Sequence, residues 1–201
     1  MKTLKQNKTL VVLTILLVNL FSCKAQTNTI NITERCNGNS PYLSWYDGEL
    51  YLKDINNLYA NYVGTWKWQD GNREFILTLI KQTKFHFNEG NDDYYEDRIV
   101  GYYIYKENNV ELINTTNDNL NEDYGLNVNY RLNCNSSLSG IINDVKKNKR
   151  YLSWFEIISP TQIRFKGKEE EQLRFKKEGV PSLPPVYAGN SFPLNMVLTK
   201  Q

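Results

Sequence analysis

The stretch Arg73–Gln82, REFILTLIKQ, alternates strictly: Phe75, Leu77 and Leu79 fall on one side of an extended chain, and Ile76, Thr78 and Ile80 on the other. Successive side chains of a strand point to opposite faces, so a period of two predicts a strand. The pattern returns in RIVGYYIYKENNVELIN (98–114), where Glu107-Asn108-Asn109 separates two runs as a hairpin signal. LNVNYRLN (126–133) repeats it with Leu126, Val128, Tyr130 and Leu132. YLSWFEIIS (151–159), TQIRFKG (161–167) and EQLRFKK (171–177) continue it, with Ser159-Pro160 and Gly167 marking turns. Strands at this spacing, rich in aromatics, Ile and Val, predict an all-β chain: an antiparallel β-barrel or sandwich of about eight to ten strands. The 14 tyrosines suit strands with one wet face.

One segment reads differently. Ile55, Leu58, Tyr59 and Tyr62 recur at helical spacing, with Asp54 placed to cap and Gly64 to terminate, so one short N-terminal helix is expected. Residues 179–191 hold Pro181, Pro184, Pro185 and two glycines and read as an irregular connection. Leu194–Leu198 resumes the apolar pattern, which returns the chain to the core.

The N-terminus sets an address. Lys2, Lys5 and Lys8 precede 15 uncharged residues, Thr9–Cys23, dominated by Leu, Val and Ile. A permanent span needs about 20 apolar residues, so a basic start followed by a short apolar run reads as a secretory signal peptide over residues 1–22. Residues 23–40 read as a polar tether and 41–201 as a single β-rich domain. Leu20-Phe21-Ser22-Cys23 resembles the bacterial lipobox, which implies cleavage before Cys23 and a lipid on its sulfur. The alternative is ordinary cleavage after Ala25 and secretion. A lipoprotein anchored in this way sits in the periplasm or on the outer membrane, with the membrane itself as a partner.

Removal of the signal takes three lysines from the 24 basic residues and leaves 21 against 22 acidic ones. Such a near-neutral chain has no concentrated positive charge, so nucleic acid is not an expected partner. Lys146–Arg150 is a short basic run and reads as a solvated loop. With Cys23 assigned to lipid, Cys36 and Cys134 remain, and an oxidising compartment favours a disulfide between them; two separate buried thiols are the alternative. A loop of about 100 residues closed in this way gains on the order of 4–5 kcal/mol in the chain-entropy picture.

No catalytic constellation is recognisable. His86 is the only histidine and lies between Phe85 and Phe87 as a strand-surface residue. Glu89, Asp92, Asp93, Glu96 and Asp97 read as one acidic loop, and Asp118, Glu122 and Asp123 as another; neither has the spacing of an EF-hand. No metal and no cofactor is expected, and the chain does not read as an enzyme.

Gly64-Thr65-Trp66-Lys67-Trp68 follows the expected helix. This resembles the lipocalin opening, in which a helical turn leads to Gly-x-Trp on the first barrel strand. The resemblance implies that Gly64 permits a tight turn, that Trp66 closes one barrel end, and that an arginine, here Arg164 or Arg174, stacks on it. CKAQ near the N-terminus, YVGTWKW, and the ending SFPLNMVLTKQ together resemble an uncharacterised family of secreted proteins or lipoproteins from Bacteroidota-type bacteria, which implies export and a β-rich domain.

Two functions follow as expectations. The first is a lipid-anchored β-barrel that binds a small apolar or amphipathic ligand inside. The second is a cell-surface or periplasmic interaction module that binds glycan or protein through exposed aromatics, with Trp45, Tyr46, Tyr94, Tyr95, Tyr102 and Tyr103 as candidates. An apolar cavity argues for the first, and a solid core with an aromatic outer patch for the second.

Overall fold

A computed structural model describes residues 28–36, 45–122, 126–133, 137–170 and 185–201. Among these the alternating runs become β1 (Asn28–Asn31), β2 (Tyr46–Lys53), β3 (Gly64–Asp70), β4 (Arg73–Glu89), β5 (Asp92–Glu107), β6 (Val110–Asn114), β7 (Val128–Leu132), β8 (Leu138–Asp144), β9 (Lys149–Ser159), β10 (Gln162–Glu169) and β11 (Asn195–Lys200).

β3, β4 and β5 follow one another as antiparallel neighbours, and so do β7, β8, β9 and β10. Two further pairings turn these meanders into a ring. β11 lies between β10 and β3, antiparallel to both. β7 pairs with the middle of β5 through Ile99–Tyr130 and Val100–Asn129. The result is a closed antiparallel barrel of eight strands, the architecture that removes free edges from the ring.

Three strands lie outside the ring, two of them on β5. β4 occupies one edge of β5; β2, β7 and β6 follow one another along the other. β2 runs parallel to β5, and β1 parallel to β2. The hairpin from β5 to β6 turns at Asn108 and Asn109, whose φ values of 51° and 61° are those of a type I′ turn.

The barrel axis is occupied by aromatic side chains. Phe75, Tyr103, Tyr130, Phe155 and Phe165 are fully buried. Ring centroids lie 5.4 Å apart for Phe75 and Tyr103, 5.6 Å for Phe155 and Phe165, and 4.9 Å for Tyr130 and Phe155. Phe192, from the segment leading into β11, fills one end at 5.0 Å from Phe75 and 5.3 Å from Tyr103. The hydroxyls that enter this core are satisfied: Tyr103 donates to the Asn143 carbonyl at 2.6 Å, and Tyr130 shares a hydrogen with Ser153 Oγ at 2.6 Å.

The helix expected over Ile55–Tyr62 is not formed; a single 3-10 turn, Leu58–Asn61, stands in its place. Asn57 adopts the left-handed conformation (φ 53°), which a right-handed helix cannot pass through. The Asp54 carboxylate accepts the amides of Leu58 and Tyr59 at 2.7 and 3.0 Å and closes the turn locally. Ile55 is exposed while Tyr59 and Tyr62 are buried, so the apolar spacing reflects packing beneath the barrel, not a helix face.

The acidic run at 92–97 is also not a loop. It opens β5, and Glu96 and Asp97 are buried. Within the stretch read as a tether, residues 28–36 form β1 and a 3-10 turn, Ile32–Cys36, with Ile32 buried. The signal segment with Cys23, and likewise Cys134, Asp123, Arg174 and EQLRFKK, lie outside the described residues.

Candidate functional site

Gly64 opens β3 with φ +130°, where a side chain is strained. Trp66 is fully buried at this end of the barrel, and its indole N–H donates to the Tyr62 carbonyl at 2.7 Å. The cation over its ring is Lys200 of β11, with Nζ 5.3 Å from the centroid. Arg164, one of the two arginines expected there, instead faces outward with Nη1 3.4 Å from Glu156.

The candidate aromatics divide between faces. Tyr46 is exposed, Trp45, Tyr95 and Tyr102 are half-buried, and Tyr94 and Tyr103 are buried. His86 stacks on Tyr95 at 4.3 Å, with Nε2 2.7 Å from Asp93 Oδ1, on the solvent side of the β4–β5 hairpin. Asp118 accepts from the Asn127 amide at 2.9 Å, and the Glu122 carboxylate accepts from Asn119 at 2.6 Å.

A buried polar joint lies where β5 exchanges β2 for β7. Continuing the Ile99–Tyr130 register places Leu132 opposite Asp97. The Tyr59 hydroxyl bridges them instead, accepting from Leu132 N and donating to the Asp97 carbonyl, each at 3.2 Å. The Asp97 carboxylate accepts from Tyr51 Oη at 2.7 Å and from the amides of Asp54 and Lys84 at 3.0 and 2.9 Å. Lys81 Nζ lies 2.9 Å from Asp54 and 3.7 Å from Asp97. Burial pushes the Tyr59 phenol above its ordinary range. These carboxylates are engaged by internal donors, as buried charges require, and the cluster is a joint.

Beside it, the Glu96 carboxylate is gripped by Arg131 of β7. Nε lies 2.9 Å from both oxygens, and Nη2 lies 2.6 Å from Oε1. Burial alone would lower the Arg131 pKa, but the adjacent Glu96 charge and its hydrogen bonds raise it.

Arg131 also lines an open groove of about 620 Å³ on the outer face of β7, β8 and β9. The register builds its floor in two rows across the strands: Arg131–Ser139–Trp154 and Asn129–Ile141–Leu152. These positions face outward because their neighbours Tyr130, Leu132, Leu138, Ile142, Tyr151 and Phe155 face the core. Gly140 lies between the rows; a Cβ there would collide with the Asn129 carbonyl, so glycine lets β7 approach closely. Leu152 is exposed, Trp154 and Ile141 are half-buried, and Oδ1 of Asn129 is covered without a hydrogen-bond partner.

Sequence reasoning missed Trp154. The signal was the alternation in YLSWFEIIS, which sets Tyr151, Ser153 and Phe155 on one face and Leu152 and Trp154 on the other. Two large apolar residues thus occupy a face that Val128–Leu132, one strand further on across β8, marks with Asn129 and Arg131.

A protein-family model, described as a family of unknown function, matches residues 4–201. No curated protein and no solved structure matches the chain.

Proposed function

The chain belongs to the Family of unknown function (DUF6705), and from that premise we propose that it is an exported interaction module that engages its partner through the outer face of β7–β9. The observation that carries this reading is the groove on the outer face of β7–β9. The barrel axis is lined with mutually packed aromatic rings, whereas the groove of about 620 Å³ is on the outside, beside Trp154. A partly exposed tryptophan next to apolar and hydrogen-bonding side chains is the composition of a recognition surface. Among the described residues its lining consists of apolar and hydrogen-bonding side chains around Arg131. The alternative of a small apolar ligand held inside the barrel draws on the closed eight-stranded ring alone.

The address is part of the proposal. The short apolar run ending at Cys23 supports export and a lipid on that cysteine, which tethers the barrel to a membrane surface. Cys36 and Cys134 are proposed to pair once the chain is outside the cytoplasm.

Retention on envelope fractions of the cells that export the protein tests the reading. The tagged full chain should bind, and a Leu152→Ser/Trp154→Ala double variant should lose about tenfold or more of that binding, since a truncated anchor residue costs at least 1–2 kcal/mol. Equal retention of both proteins would sink the outer-face assignment.

A further inference from the structure

We propose that the groove across β7–β9 binds a neutral sugar chain, with the Trp154 ring as its platform and Arg131 and Asn129 as its hydrogen-bonding wall. This rests on the outer-face reading above and names the partner.

The floor has the first part of the required chemistry. Trp154, Leu152 and Ile141 give an apolar surface with a flat ring on it. A pyranose presents C–H groups on its faces and hydroxyls at its edge, so it meets such a floor face-on and a polar wall edge-on.

Charge selects against ionic ligands. Among the described residues that line the groove Arg131 is the one charged side chain, and the buried Glu96 carboxylate balances it at 2.6 Å. Among the described lining residues an anion therefore finds no surplus positive charge, and a basic ligand no carboxylate.

The unspent hydrogen-bonding capacity matches hydroxyls. Arg131 uses Nε and Nη2 on Glu96, and among the described residues its Nη1 has no partner. The Asn129 amide makes no hydrogen bond among the described residues, and its Oδ1 is covered and unpartnered. A half-turn about the last side-chain bond exchanges that acceptor with the amide nitrogen. A fixed donor beside an amide that both donates and accepts suits vicinal hydroxyls, which do the same. An extended peptide would instead seek a free strand edge, and β8 and β9 are hydrogen-bonded on both sides.

The test uses the full chain in a detergent without a sugar headgroup. Maltohexaose, cellohexaose, xylohexaose and mannohexaose are titrated separately and followed by calorimetry and tryptophan fluorescence. At least one should bind saturably, and Trp154→Ala and Asn129→Ala should each weaken it by about tenfold or more without moving the melting temperature. Neither side chain makes a hydrogen bond among the described residues, so the fold should tolerate both changes. Trp154→Phe should recover part of the loss. No saturable binding by any hexasaccharide, or binding indifferent to both substitutions, overturns the sugar assignment. The envelope assay separates the two levels. Trp154-dependent retention destroyed by periodate, which cleaves vicinal diols, supports the sugar. Trp154-dependent retention destroyed by protease alone overturns the sugar and leaves the outer-face reading standing. Retention that ignores the groove removes both.

Discussion

Replacing Tyr59 by Phe removes one oxygen atom from the joint between β5 and β7. In the native chain that oxygen accepts from Leu132 N and donates to the Asp97 carbonyl, both at 3.2 Å, in a fully buried setting. Each bond contributes about 0.5–1.5 kcal/mol net, and a buried amide or carbonyl left unpaired costs about 1–3 kcal/mol. The ring itself stays, so no cavity term larger than one atom enters. Because the bridge replaces a direct ladder bond between Leu132 and Asp97, partial closure of the joint would recover some of the loss. The expected destabilisation is about 2–4 kcal/mol, a sizeable part of the roughly 5–15 kcal/mol total of a domain. Urea unfolding of Tyr59→Phe against wild type measures it, with Tyr46→Phe as the exposed control, which should change stability by less than about 0.5 kcal/mol. Hydrogen exchange adds a local readout: the Leu132 amide should lose protection well before its neighbours. A Tyr59→Phe chain with an unchanged midpoint and a protected Leu132 amide would refute the bridging role.

Trp66→Ala removes a fully buried indole and its hydrogen bond to Tyr62, and should cost about 3–5 kcal/mol, seen as a clear drop in melting temperature. Tyr59, Tyr103 and Tyr130 all have phenols raised by burial above the ordinary 10.0. The unfolded chain releases those protons first, so their stabilisation is intact below pH 10 and falls as pH rises above it, by up to about 1.4 kcal/mol per residue per pH unit. Absorbance titration should show these phenols ionising together with unfolding. Mass spectrometry of the unreduced mature protein should find acyl chains on Cys23 and no free thiol at Cys36 or Cys134; unmodified Gln26 at the N-terminus would end the lipid assignment.

What was legible in the sequence follows from how local each signal is. The period-two runs name their own inward residues, so Phe75, Leu77, Tyr130 and Phe155 were readable as core, and two asparagines after Glu107 specify their own turn. Gly64 and Trp66 follow closely on the Leu58–Asn61 turn that explains them. The failures are non-local. Nothing near Glu96 announces Arg131, 35 residues on, so a buried carboxylate looked like a solvated one. The parallel pairings of β1 and β2 bring distant segments together with no turn to mark them. The helical spacing at Ile55–Tyr62 was real, but one Asn in a left-handed conformation and one carboxylate outweighed it. Trp154 was overlooked because a groove is a property of three strands side by side, and its tryptophan lies on only one of them.

The place of β11 in the ring sets the order in which this protein can come into being. It stands between β3 and β10, so both of those strands wait for residues 195–200. A ribosome delivers the chain from the other end. Until the last of the eight wall strands has emerged, β3 and β10 face each other across a gap, and the aromatic interior is missing Phe192, Met196 and Leu198. The polypeptide therefore spends its synthesis without a finished barrel available to it. Under the export proposed above, in which the chain crosses the membrane before it folds, this delay is built into the topology.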